Sequence, residues 1–194
     1  MIIYLTGAPA TGKSTLCSQL AKLPNVRHFA YSERLRDHIN ARTDETLDET
    51  DIRRLSAQAV TPADVEAVDQ ALILETELVR AAGGYLLIDS HPVTKEDYGF
   101  RVTPFRVENL LALRPDKLIG LYASPTVLAR RIRDDAQGRP MPNEFELALH
   151  VQLQASVLAQ YAVLTGKYCQ LVDADRGRED VLKDVMRLIK LSPV

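Results

Sequence analysis

Eight residues near the start of the chain have the types and spacing needed to hold a chain of phosphates: Gly7-Ala8-Pro9-Ala10-Thr11-Gly12-Lys13-Ser14. They satisfy the pattern G-x-x-x-x-G-K-[ST]. Glycines at the two fixed positions permit backbone conformations and close approaches that a Cβ obstructs. Successive amide N–H groups then point into one concavity that attracts anions. The positive end of a following helix adds to that attraction. The lysine carries a mobile charge to the β- and γ-phosphates, and the serine hydroxyl is suited to ligate Mg²⁺. The pattern therefore predicts a site for Mg²⁺ and ATP, or a close relative of ATP. It is built from Gly7, Ala8, Pro9, Ala10, Thr11, Gly12, Lys13, Ser14 and Thr15.

Such a loop needs a strand before it and a helix after it, and the flanking sequence supplies both. Ile2–Thr6 is an apolar run of strand length, and Leu16, Leu20 and Leu23 recur at helical spacing until Pro24. Val26–Tyr31 reads as a second strand, with Ser32 capping a short helix to about Ala41. Thr61-Pro62 and Asp64 open a helix whose buried face is Val65, Val68, Leu72 and Val79, and Gly83-Gly84 closes it. Tyr85–Asp89 shows no alternation, as a strand covered on both faces should. Thr103-Pro104 repeats the cap-plus-proline device ahead of Leu110, Leu111 and Leu113. Lys117–Ala123 is a fourth strand, and Ser124-Pro125 caps the next helix. A polar turn at Ala136–Asn143, a long helix to Gly166, a strand at Tyr168–Asp173 and a helix at Val181–Leu191 complete the chain. Five strands alternating with helices predict an α/β fold with a mainly parallel sheet. Right-handed crossovers then put a ligand at the carboxyl ends of the strands.

A phosphate loop needs a carboxylate near its metal. Asp89 ends the buried strand Tyr85–Ile88 and is the candidate, with capping or turn duty as the other reading. Asp173 and Asp175 read as turn residues. His91 lies two residues past Asp89, where substrate contact and a structural hydrogen bond are both open. Arg130, Arg131, Arg133 and Arg139 lie in and just after one helix, ahead of Pro140 and Pro142. Arginines delivered by a closing lid neutralise charge on a transferring phosphoryl group. A solvated helix face paired with Asp134 and Asp135 is the alternative. Ser32 and Arg36 are four residues apart, share a helix face, and are candidates for acceptor contact.

These segments together resemble the adenylate-kinase-type nucleoside monophosphate kinases, most of all the short archaeal-type adenylate kinases. The resemblance rests on Gly7-Ala8-Pro9, on Leu87-Ile88-Asp89-Ser90-His91, and on Leu113-Arg114-Pro115-Asp116. It rests further on Arg130-Arg131-Ile132 followed by Arg139, and on Tyr161-Ala162-Val163-Leu164-Thr165-Gly166. It runs from residue 1 to about 173. It implies a P-loop three-layer sandwich with a five-stranded sheet and a short lid at about 130–143, with acceptor-side helices at about 32–82. It also implies ATP as donor, a nucleoside monophosphate as acceptor, and Arg131 and Arg139 as lid arginines. The archaeal-type relatives are trimers, so a homo-oligomer is an expectation. The Asp-Gly-Phe-Pro-Arg acceptor segment of bacterial adenylate kinases is replaced here by Asp89-Ser90-His91-Pro92, and their long inserted lid is missing.

Bulk properties narrow the partners. With 194 residues and 46% apolar content the chain suits one domain, 1–194, with a real core. A formal charge of −2 gives no broad reason to expect nucleic acid. No segment approaches the apolar length of a membrane span, and Met1–Leu5 lacks the features of a signal peptide. A cytoplasmic protein with small-molecule nucleotide substrates is expected, without membrane or nucleic-acid partners. Cys17 and Cys169 read as reduced thiols. A GTPase-like switch is disfavoured, because Thr94-Lys95-Glu96-Asp97 precedes Asp135-Ala136-Gln137-Gly138, the reverse of the order a switch needs. Two alternatives stay open: a P-loop kinase of a small-molecule hydroxyl acceptor, with Asp89 or His91 as base, and a non-catalytic ATP-binding module.

Overall fold

Ile2–Gly7 (β1) is buried at every position, so it reads apolar without alternation and belongs at the centre of a sheet. The computed structural model describes residues 1–43, 60–134 and 142–191. In chain order there follow Lys13–Leu20 (α1), Val26–Ala30 (β2), Tyr31–Thr43 (α2), Pro62–Ala81 (α3) and Tyr85–Asp89 (β3). Next come Val93–Glu96 (β4), Gly99–Val102 (β5), Val107–Leu113 (α4), Lys117–Tyr122 (β6) and Pro125–Arg133 (α5). Glu144–Thr165 (α6), Cys169–Asp173 (β7) and Arg178–Leu188 (α7) complete the set.

Five strands form one sheet in the order β2-β3-β1-β6-β7, and every pairing in it is parallel. Side chains alternate across β1, so its two faces feed two apolar clusters. Ile3 and Leu5 pack with Leu16, Leu20, Leu128 and Val185 from α1, α5 and α7. Ile2 and Tyr4 pack with Leu72, Leu110, Leu158 and Tyr161 from α3, α4 and α6. Helices thus cover both faces, which is the predicted three-layer α/β sandwich. Each fully buried leucine contributes about 1.5–3 kcal/mol. The register sets Leu5 and Ala30 both opposite Asp89, so β2 and β3 end level with each other and β1 runs two residues further, to Gly7.

Local signals account for most boundaries. Thr61 and Asp64 cap α3 reciprocally, and Ser124 caps α5 ahead of Pro125, both as expected. The backbone turns left-handed at Gly166 to end α6. Other boundaries depart from expectation. The second strand stops at Ala30, and α2 begins at Tyr31, which leaves Ser32 exposed inside the first turn instead of at the cap. Thr103-Pro104 does not open a helix, since α4 starts only at Val107. Here the extended conformation favoured before proline wins. Thr103 N–H donates to Pro92 O at 2.7 Å, and Phe105 N–H donates to the Tyr161 hydroxyl at 2.7 Å.

The sequence reading also missed a second sheet. β4 and β5 form an antiparallel ribbon whose turn precedes Gly99, at φ 139°. The Thr94–Asp97 string lies along this ribbon and its turn. A buried network ties the ribbon to the rest. Thr6 Oγ1 donates to Gln154 Oε1 at 2.9 Å, and Gln154 Nε2 and His150 Nε2 meet Val93 O at 3.4 and 3.1 Å.

One expectation is corrected by α6. At 22 residues, Glu144–Thr165 is long and apolar enough to cross a membrane by length and composition. It packs instead along β1, β6 and β7 and buries His150 and Gln154, so its apolar character is that of a core helix. The described residues hold no other helix that passes this test.

Candidate functional site

The phosphate-loop residues run from the carboxyl end of β1 into the first turn of α1, with Gly12 in the left-handed region at φ 89°. Ala10 also has positive φ, 64°, so two residues of the loop turn their amides against the usual hand. Thr11 Oγ1 donates to Ala8 O at 2.8 Å and closes the turn. A Cβ on Gly7 would lie 2.8 Å from Thr11 Oγ1 and 3.0 Å from Leu121 O, so that position accepts only glycine without a shift. The helix α1 has no side-chain cap and no acidic residue in its first turn, so its positive end is left for an external anion. Ser14 and Thr15 are exposed there.

Lys13 is buried and folds back to pair with Asp89 at the end of β3. Its ammonium also donates to Nε2 of His91 at 2.9 Å. His28, on β2, stands with Nε2 3.7 Å from Asp89 Oδ2. Burial pushes the Lys13 ammonium down, to about 7. An adjoining carboxylate works the other way and favours the ammonium. Burial likewise lowers His28 below its usual value, which favours the neutral imidazole.

Arg131 is half-buried on α5 and bridges two carbonyls. It donates to Ala10 O at 3.3 Å and to Ala174 O at 2.7 Å, joining the loop to the segment after β7. Arg130 and Arg133 are exposed on other faces of the same helix. Arg139 and residues 135–141 around it, like residues 44–51, lie outside the described residues. Asp175 reaches across to the start of α5, where its Oδ1 accepts from Ser124 N–H at 2.8 Å. Asp173 Oδ1 accepts from Asp175 N–H at 2.9 Å.

The structure thus brings Lys13, Asp89 and His91 together and sets Arg131 on the loop. It does not bring Ser32 and Arg36 to that group. Ser32 is exposed, and Arg36 donates from Nε and Nη2 to Asp37 at 3.3 and 3.1 Å. Sequence reasoning missed His28, because a lone histidine in a weak strand carries no signal until parallel pairing aligns Ala30 with Asp89. It also missed Tyr31, Asp69 and Asn109. The Tyr31 hydroxyl donates to Asp69 Oδ1 at 2.7 Å, and Asn109 Nδ2 donates to Asp69 Oδ2 at 2.9 Å. No local pattern links residues 38 and 40 positions apart.

An all-parallel sheet with this glycine-rich loop at the end of its central strand defines a P-loop nucleotide-binding fold. A family model described as "AAA domain" matches residues 6–148, most of the chain, and the chain belongs to that family. Among curated proteins it is similar to an adenylate kinase of Pyrococcus horikoshii, 23% identical over 98% of this chain and 96% of that protein. It is also similar to UMP-CMP kinase 1 of Oryza sativa subsp. japonica, 25% identical over 95% of this chain and 72% of that one. Among solved structures, a sugar kinase from a Janibacter species superposes with a TM-score of 0.58 at 15% identity, covering 99% of this chain and 95% of that one. This last likeness concerns the fold alone.

Proposed function

We propose that the protein is a kinase that moves the γ-phosphoryl group of ATP to a nucleoside monophosphate. The observation that carries this reading is the Lys13 ammonium, buried against Asp89 beside an uncapped helix end and a glycine-shaped loop. The loop amides and the free end of α1 offer anion sites, and Lys13 exchanges its carboxylate partner for phosphate oxygens when a nucleotide arrives. Ser14 Oγ and the Asp89 carboxylate are hard oxygen donors and suit Mg²⁺, which supplies charge neutralisation when bound. Arg131 braces the loop through Ala10 O and is assigned to neutralise charge on the transferring group. Arg139 is assigned a lid role, and Ser32 and Arg36 the acceptor. In this reading Arg36 leaves Asp37 for a phosphate, an exchange of one anion for another at a half-exposed site. The Pyrococcus adenylate kinase, similar along nearly its whole length, supports the monophosphate as acceptor.

A second reading, a hydroxyl acceptor, is favoured by one observation. His91 is exposed and sits 2.9 Å from Lys13 at the same strand end, where an imidazole can take a hydroxyl proton. A coupled ADP-release screen with Mg·ATP separates the two. Turnover with AMP, CMP or UMP is expected. Turnover confined to sugars, acids or other hydroxyl compounds would replace the first reading with the second.

A further inference from the structure

Two side chains beside the Lys13–Asp89 pair have no part in phosphate binding. Cys17 lies one helical turn beyond Lys13 on the buried face of α1. His28 reaches in from β2. The Cys17 sulfur, an imidazole nitrogen of His28 and a carboxylate oxygen of Asp89 all lie within 4.8 Å of one another. The Asp89 side chain is only 8% exposed, and its Oδ1 has the Lys13 ion pair but no hydrogen bond. His28 Nε2 is also buried without a hydrogen bond, since its 3.7 Å approach to Asp89 is too long for one. Buried polar atoms of this kind are costly unless something satisfies them.

We propose that Cys17, His28 and Asp89 form a binding site for Zn²⁺, which takes the place of the Lys13 ammonium against Asp89. Sulfur, imidazole and carboxylate are the donors zinc prefers. The thiolate and imidazole make the set a poor one for Mg²⁺ or Ca²⁺. Tetrahedral zinc puts its ligand atoms roughly 3.3–3.7 Å apart. The 4.8 Å cluster therefore needs to contract by up to about 1.5 Å, within reach of side-chain rotation on three rigid elements. Three protein ligands leave a fourth position for water. On binding, the Cys17 thiol proton passes to solvent, and two anionic ligands balance the ion's double charge. The Lys13 ammonium is released towards the loop.

The consequence is competition. A zinc ion on Asp89 removes the carboxylate from Lys13 and from any Mg²⁺, so zinc acts as an inhibitor built over the phosphate loop. Metal binding itself is measured without nucleotide, independently of the proposed reaction.

The test uses the full chain stripped with EDTA, titrated with Zn²⁺ alone by calorimetry and with Co²⁺ by absorption. One zinc per chain is expected, with a thiolate-to-cobalt charge-transfer band. Cys17→Ala should abolish the band and weaken zinc by about tenfold or more. Cys169→Ala should leave both unchanged, since Cys169 lies on β7, at the opposite edge of the sheet from β2. His28→Gln should keep the band and weaken zinc by about tenfold or more. Absence of stoichiometric zinc binding in the wild type would overturn the proposal. So would tight binding that neither Cys17→Ala nor His28→Gln weakens.

Discussion

Lys13→Met is expected to lower kcat with Mg·ATP by roughly 10²–10³-fold while the chain stays folded by circular dichroism. Lys13 is the residue whose charge can follow the phosphates, because its side chain is long enough to leave Asp89 for the loop. Methionine keeps the length and suits a buried position. The charge it removes is itself costly to bury, as the push of Lys13 down to about 7 indicates. Steady-state kinetics on the acceptor found in the screen provide the check. Turnover equal to wild type would remove Lys13 from the reaction.

Asp89→Asn has the second large effect, and it appears in stability as well as in rate. Removing one partner of a buried ion pair costs about 3–5 kcal/mol, because the other charge is left uncompensated. Here the stranded charge can be discharged. In the variant, burial acts on Lys13 without an opposing carboxylate and holds it below its ordinary value of 10.5. In the window between the lowered and the ordinary value the unfolded chain binds a proton that the folded variant does not. Stability then rises with pH. The penalty of Asp89→Asn is therefore greatest near pH 6 and shrinks as pH climbs through the alkaline window. Adding Lys13→Met to Asp89→Asn should restore stability at pH 6, since no charge remains to bury. Urea unfolding of the wild type, both single variants and the double variant at pH 6 and pH 9 tests this. An equal penalty at both pH values, or a double variant no better than Asp89→Asn at pH 6, would show that the pair is not what holds this corner.

Much of this architecture was legible because it rests on local chemistry. The loop announces itself by two glycines at positions where a side chain would be strained or crowded. Gly12 adopts φ 89°, and Gly7 packs against Leu121 O. Parallel strands buried on both faces leave unbroken apolar runs, so β1, β3 and β6 were found at nearly their true bounds. Capping residues marked α3 and α5 because Thr61 and Ser124 do their work within three residues. What escaped depends on contacts between distant segments. The β4–β5 ribbon has strands of only four residues, too short to show a period, and is held by Gln154 and His150 from a helix more than fifty residues away. Pro104 looked like a helix opener until Tyr161 tied Phe105 into an extended segment. His28 acquires meaning only through the register that lays β2 against β3. The apolar stretch of α6 was underestimated because its His150 and Gln154, which look like interruptions, are buried and bonded in the core.

The central claim is that the loop from Gly7 to Ser14 grips the polyphosphate of a nucleotide, with Lys13 leaving Asp89 to do so. Calorimetric titration of ligand-free protein with Mg·ATP tests it most directly. One nucleotide per chain is predicted, with affinity weakened by about tenfold or more, about 1.4 kcal/mol, in Lys13→Met. No heat of binding from the wild type, or an affinity that Lys13→Met leaves untouched, would contradict it.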